Sequence, residues 1–160
     1  MAIELVPLQP LERGYLRVLR IRSAIGWLTL SAIVAIADAF LHWRFSTPFG
    51  FLAGLTLALS VVSVVFLVSG RWRRWGYAFT DRELHVAHGW FTQRHTIVPV
   101  SRVQHIDVSQ GPLERGAGVA TLSLHTAGTE RNLVILPGIS RQRAEEIRDV
   151  IRSRISDAPW

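Results

Sequence analysis

Apolar positions form two long unbroken runs, and the pattern then changes to short alternating segments. Ala24–Leu41 is 18 residues long with Asp38 as its one charge, and Phe49–Ser69 is 21 residues long with none. About 20 apolar residues cross the roughly 30 Å hydrocarbon core as a helix, so both runs qualify as membrane spans. Only His42–Pro48 separates them, which predicts a tight antiparallel hairpin over residues 24–69. Asp38 lies one turn from the far end of its run, beside His42 and near Arg44, where headgroup water lowers the cost of a charge. A single acid with no partner base deep in the run is a weak basis for a proton path. Ala37-Asp38-Ala39 imitates a cleavage site. The first run is nevertheless too long for a signal peptide, and a second span follows it, so cleavage is not expected.

Beyond Gly70 the segments Tyr77–Thr80, Glu83–His88, Arg94–Val98, Val103–Ser109, Val119–Thr126 and Leu133–Leu136 read as strands, rich in Val, Ile, Leu and Thr. In the fourth, strict alternation puts Val103, His105, Asp107 and Ser109 on one face and Gln104, Ile106 and Val108 on the other. Turns are expected at Gly89, at Pro99, over an irregular stretch from Gly111 to Gly118, and at Ala127-Gly128-Thr129. Pro137-Gly138 then precedes Ser140, an N-cap for a helix whose Ala144, Ile147, Val150, Ile151 and Ile155 share one face. The fold class is therefore an α+β membrane protein: a two-helix transmembrane hairpin, then a small barrel-like sheet closed by a C-terminal helix. The expected division is a cytoplasmic N-terminal segment 1–23, the hairpin 24–69, a basic and aromatic linker 70–76, and a sheet-and-helix domain 77–156.

Charge sharpens this layout. Of 160 residues 49% are hydrophobic and 19% charged, which suits about one folded domain and not a disordered chain. There is no cysteine, so disulfides, cysteine nucleophiles and Cys-ligated metal centres are excluded. All 18 basic residues are arginine, which removes lysine chemistry as well. A pI near 11.3 asks for an anionic partner surface. Arg13, Arg17, Arg20 and Arg22 precede the first run, Arg71, Arg73 and Arg74 follow the second, and the loop holds only Arg44. The positive-inside rule then places both termini in the cytoplasm of a multi-pass inner-membrane protein. With Trp72 and Trp75, these seven arginines form a surface facing the bilayer, which directs the basic charge away from nucleic acid. Small residues recur every four positions at Ser31, Ala35 and Ala39, and at Gly50, Gly54 and Ala58. These stripes suit helix packing, within the hairpin or against another membrane protein.

Several runs resemble a known family: Pro99-Val-Ser-Arg-Val-Gln-His-Ile-Asp-Val-Ser-Gln-Gly-Pro-Leu-Glu-Arg115, Gly118-Val-Ala-Thr-Leu122, His125-Thr-Ala-Gly128, and Leu136-Pro-Gly138 with Ala144, Ile147 and Arg148. They are similar to the bacterial pleckstrin-homology-like membrane proteins of the YdbS type. The likeness covers nearly the whole chain. One departure is Ala117, where the family usually carries an aromatic residue. The resemblance implies a PH-like split barrel with a helical cap, operation beside a larger membrane protein carrying several such domains, and no established catalytic activity.

The candidate partner site is the polar cluster Arg102, Gln104, His105, Asp107, Gln110, Glu114 and Arg115. It reads either as a binding edge, where an extended peptide adds as a strand, or as a network that satisfies the irregular backbone at 111–118. Metal ligation by His85, His88, His95, His105 and His125 lacks ligand spacing, and no cofactor is expected. Ser101, Ser109 and Ser123 lack a nucleophile elbow, so an enzyme is not expected. Trp90 and Phe91 after Gly89 suit either lipid contact or packing inside the sheet. The functional expectation is a membrane-anchored interaction module without enzymatic activity. The alternative is a sensor of anionic phospholipid at the inner leaflet.

Overall fold

The structure is a computed structural model that describes residues 6–46, 48, 50–80, 82–90, 92–127 and 133–156. Two compact units arise. One joins the chain up to Tyr15 to the chain from Arg71 onward, and the other is Leu16–Gly70. Among the described residues the first unit holds seven strands. A four-stranded antiparallel sheet runs in the order β1 (Gln9–Pro10), β2 (Gly76–Phe79), β3 (Glu83–His88), β4 (Arg94–Pro99). A three-stranded antiparallel sheet follows as β5 (Val103–Ser109), β6 (Val119–Thr126), β7 (Leu133–Ser140).

Strand β1 was not expected from the sequence. Gln9 pairs with Tyr77 and Pro10 with Gly76, so the two long helices are an insertion between adjacent strands. The expected segment 1–23 therefore contains a strand and the start of a helix. Pro10 is tolerated because it sits on an edge. Glu12 donates its backbone N–H to the Gly138 carbonyl at 2.9 Å, and the Trp72 indole donates to the Glu12 carbonyl at 3.2 Å. Leu11 and Tyr15 are buried.

Helix α1 (Arg13–Phe45) begins well before Ala24, and α2 (Phe51–Arg73) carries a π-helical stretch at Ser63–Leu67. Both are long and apolar enough to cross a membrane. Leu28, Ile33, Ile36, Phe40, Phe51, Leu57 and Phe66 are exposed in this unit. An apolar surface of that extent needs lipid or protein to cover it. Within the hairpin, Arg20 donates to the Ser69 hydroxyl at 3.0 Å, and the Gly50 N–H donates to the Asp38 carboxylate at 2.8 Å. Thr47 and Phe49 of the connecting loop lie outside the described residues.

The expected strands all form, with two irregularities that alternation could not foresee. Val103 pairs with Thr126 and His105 with His125, which leaves Gln104 as an extra residue. This bulge returns Val103 to the core, with Ile106 and Val108 half-buried, whereas His105, Asp107 and Ser109 are exposed. The strict alternation expected for β5 is corrected accordingly. The second irregularity lies between the pairs Ala120–Ile139 and Leu122–Leu136. Pro137-Gly138 is therefore a bulge inside β7, not a break after it. The stretch 111–118 is also not irregular throughout, because Pro112–Gly116 forms a one-turn helix, α3. Of the predicted Ala127-Gly128-Thr129 turn, only Ala127 is described.

Helix α4 (Arg141–Ser156) packs against β5, β6 and β7. The Ser140 hydroxyl accepts the Arg143 backbone N–H at 3.2 Å, as the predicted N-cap should. Ala144, Ile147 and Ile151 are fully buried with Leu84, Val86, Leu122, Leu124, Leu136 and Ile139.

Candidate functional site

The polar cluster at 102–115 separates into two parts. Gln110 donates its side-chain amide to the Val119 carbonyl at 2.8 Å, and Glu114 accepts the Gly111 N–H at 2.9 Å. Glu114 is buried and holds the N-terminus of α3, where Pro112 supplies the first turn. These two residues satisfy backbone groups.

Arg102, Gln104, His105, Asp107 and Arg115 are exposed. His105 lies 3.2 Å and His125 3.6 Å from the Asp107 carboxylate, and the two imidazole centroids are 5.8 Å apart. Cross-strand register continues this outward face through Ser123 to Ile135 and through His125 to Leu133. Leu133 and Ile135 are 46% and 45% exposed, so the face is mixed polar and apolar. Strand β5 pairs only with β6, leaving its other edge without a strand partner among the described residues. An open strand edge offers unpaired N–H and C=O groups to a further strand.

A second feature lies at the root of β2. Arg73, Arg74, Trp75, His88, Arg94 and His95 border a cleft of about 670 Å³, whose lining contains no acidic residue among the described residues. Trp75 stacks on His88 with centroids 4.5 Å apart and planes 19° apart. The Arg74 guanidinium sits 4.9 Å over the Trp90 ring and donates to the Trp90 carbonyl. Burial holds the His88 pKa below its ordinary value, and the nearby Arg94 and Arg71 charges push it the same way. Phe91 lies outside the described residues.

The small-residue stripes meet a different geometry. Ser31 is half-buried, but Ala35, Ala39, Gly54 and Ala58 are exposed in the hairpin unit. A side chain built on Gly54 would meet nothing within 4 Å. Half-buried positions in this unit include Trp27, Ser31 and Val34 on α1, and Ala53, Thr56 and Ser60 on α2. Arg13, Arg17, Arg20, Arg22, Arg71, Arg73 and Arg74 are all exposed.

His85 was singled out only as a metal candidate. It is buried, 3.3 Å from the His95 ring and 3.2 Å from the Glu83 carboxylate. Among the described residues no group of His, Asp and Glu is arranged to hold a metal ion.

Residues 17–155 match the bacterial PH domain family. This chain belongs to that family. It is 33% identical over 137 residues to the UPF0699 transmembrane protein YdbS of Bacillus subtilis (strain 168), a match covering 84% of this chain and 83% of YdbS. It is 26% identical over 98 residues to the UPF0699 transmembrane protein YdbT of the same organism, covering 59% of this chain but only 20% of that one. A crystal structure of a DUF1696 family protein with a pleckstrin-homology domain from Shewanella loihica PV-4 aligns with a TM-score of 0.40 and 16% identity, over 51% of this chain and 71% of that one. The family match makes the strands and C-terminal helix a PH-like unit, and the apolar helices agree with transmembrane relatives. No enzyme family is among these matches.

Proposed function

We propose that this chain is a non-enzymatic, membrane-anchored PH-like module that docks a partner membrane protein at the cytoplasmic face. The arginine distribution supports an inner-membrane hairpin with both termini inside. The observation that carries the docking reading is the open edge of β5, bordered by the exposed Arg102 and Gln104. Strand addition supplies affinity through the backbone, and these side chains set register. A larger membrane protein with several PH-like domains is the favoured partner. A photo-crosslinker at Gln104 in the full chain, irradiated in native membranes, tests this. A discrete adduct with one membrane protein is expected, absent when the crosslinker stands at the exposed Glu146. Equal adducts at both positions, or none at Gln104, would overturn it.

A second reading, sensing of anionic phospholipid, is favoured by the basic cleft of Arg73, Arg94, His88 and His95. Soluble short-chain phosphatidylglycerol added to the full chain in neutral detergent should bind more weakly as salt rises, and more weakly in Arg94→Gln. Equal response to short-chain phosphatidylcholine would remove this reading.

A further inference from the structure

The edge of β5 opens onto a groove. One cleft, about 480 Å³, lies between Arg82, Val103 and the end of α4, and a second, about 390 Å³, runs along Gln104 and Ile106 beneath Arg148 and Arg152. They share Ile155, which is 40% exposed. The floor is thus aliphatic and the rim is arginine: Arg82 and Arg154 in the first cleft, Arg148 and Arg152 in the second. Among the described residues, the acidic side chain in the lining is Glu83, which lies 3.2 Å from His85. Arg148 also bonds Asp149 at 2.8 Å, an exposed pair that water screens and that can rearrange.

A strand added beside β5 would turn every second side chain toward α4. Those side chains would lie over Ile106 and Ile155 with their tips among the guanidinium groups. Glutamate meets both demands, since its methylenes cover the aliphatic floor and its carboxylate reaches arginine. The opposite face of such a strand would continue the polar row of His105, Asp107 and Ser109.

We infer that the groove between β5 and α4 accepts an extended segment of the partner carrying acidic side chains at alternate positions. This rests on the docking reading and adds the chemistry of what docks. Seven residues of β5 extend about 23 Å, enough for a segment of similar length.

The test uses the full chain in neutral detergent and a fluorescein-labelled, end-capped heptapeptide, Thr-Glu-Thr-Glu-Thr-Glu-Thr, read by fluorescence anisotropy. Three comparisons accompany it: the same peptide with Gln for Glu, the same peptide N-methylated at alternate residues on one edge, and the doubly substituted protein Arg148→Gln/Arg152→Gln. Both substitutions are on the helix surface, and circular dichroism should confirm an unchanged fold. Saturable binding of the acidic peptide is expected, weakened about tenfold or more by each change. No binding, equal binding of the Gln peptide, or equal binding of the N-methylated peptide would overturn the inference. If the Gln104 crosslink persists while the acidic peptide fails, docking survives and only the acidic chemistry falls.

Discussion

The Asp38 carboxylate accepts the backbone N–H of Gly50 at 2.8 Å, joining the end of one apolar helix to the start of the other. An acid in an apolar run thus has a structural task. It meets a helix N-terminus, where unpaired N–H groups and the helix dipole favour negative charge.

Asp38→Leu should therefore loosen the hairpin although it raises apolarity. A loss of about 1–2 kcal/mol is expected from the missing cap. Thermal unfolding in detergent should show a lower midpoint, and Asp38→Asn should fall between the two. A Leu variant more stable than the parent would show that the carboxylate serves no cap.

Gly138 and Tyr15 are fitted to one another. Gly138 has φ +72°, and a Cβ there would overlap the Tyr15 ring. Gly138→Ala should destabilise the PH-like unit by at least about 2 kcal/mol through strain and overlap. Adding Tyr15→Ala should cost less in that background than in the parent, because the overlap is gone. Strict additivity in denaturant unfolding would contradict the contact.

Residues 102–115 should divide by phenotype. Gln110→Ala and Glu114→Ala each remove the side-chain partner of a part-buried backbone group and should cost about 1–3 kcal/mol. Arg102→Ala and Gln104→Ala should leave stability within about 0.5 kcal/mol and weaken partner crosslinking. A reversal of the two phenotypes, read by melting and by crosslinking together, would reject the division.

His88 gives a pH signature. Its folded pKa lies below the ordinary 6.5, burial being the first cause. The folded state therefore disfavours protonation, and stability present above 6.5 declines as pH falls through the folded value. An anion in the cleft would favour the charged imidazole. Binding of short-chain phosphatidylglycerol should thus strengthen as pH falls below 6.5, and His88→Gln should flatten that slope. A pH-independent affinity in the parent would count against the lipid reading.

Much of this architecture was legible in the chain. The apolar runs, the six strands from Tyr77 onward and the Ser140 cap follow from local periodicity and turn chemistry. Strand β1 was not legible, since two residues carry no period and its partner lies more than sixty positions away. The bulges at Gln104 and Pro137-Gly138 were hidden because alternation assumes an unbroken ladder. Spacing alone could not say which face of the hairpin is covered: Gly54 is exposed, whereas Ala53, Thr56 and Ser60 are half-buried. The acidic-strand groove needed tertiary structure, because Arg82, Ile106 and Arg152 converge only in the fold.

The account depends most on residues 24–41 and 49–69 crossing a bilayer with both chain ends on one side. The chain has no cysteine, so single substitutions report cleanly. Ser46→Cys in the hairpin loop and Gln142→Cys on the PH-like unit should be exposed to a membrane-impermeant maleimide in right-side-out vesicles. Labelling of Ser46→Cys at once, and of Gln142→Cys only after permeabilisation, is the predicted result. Labelling of both positions before permeabilisation, or of Gln142→Cys alone, would contradict it.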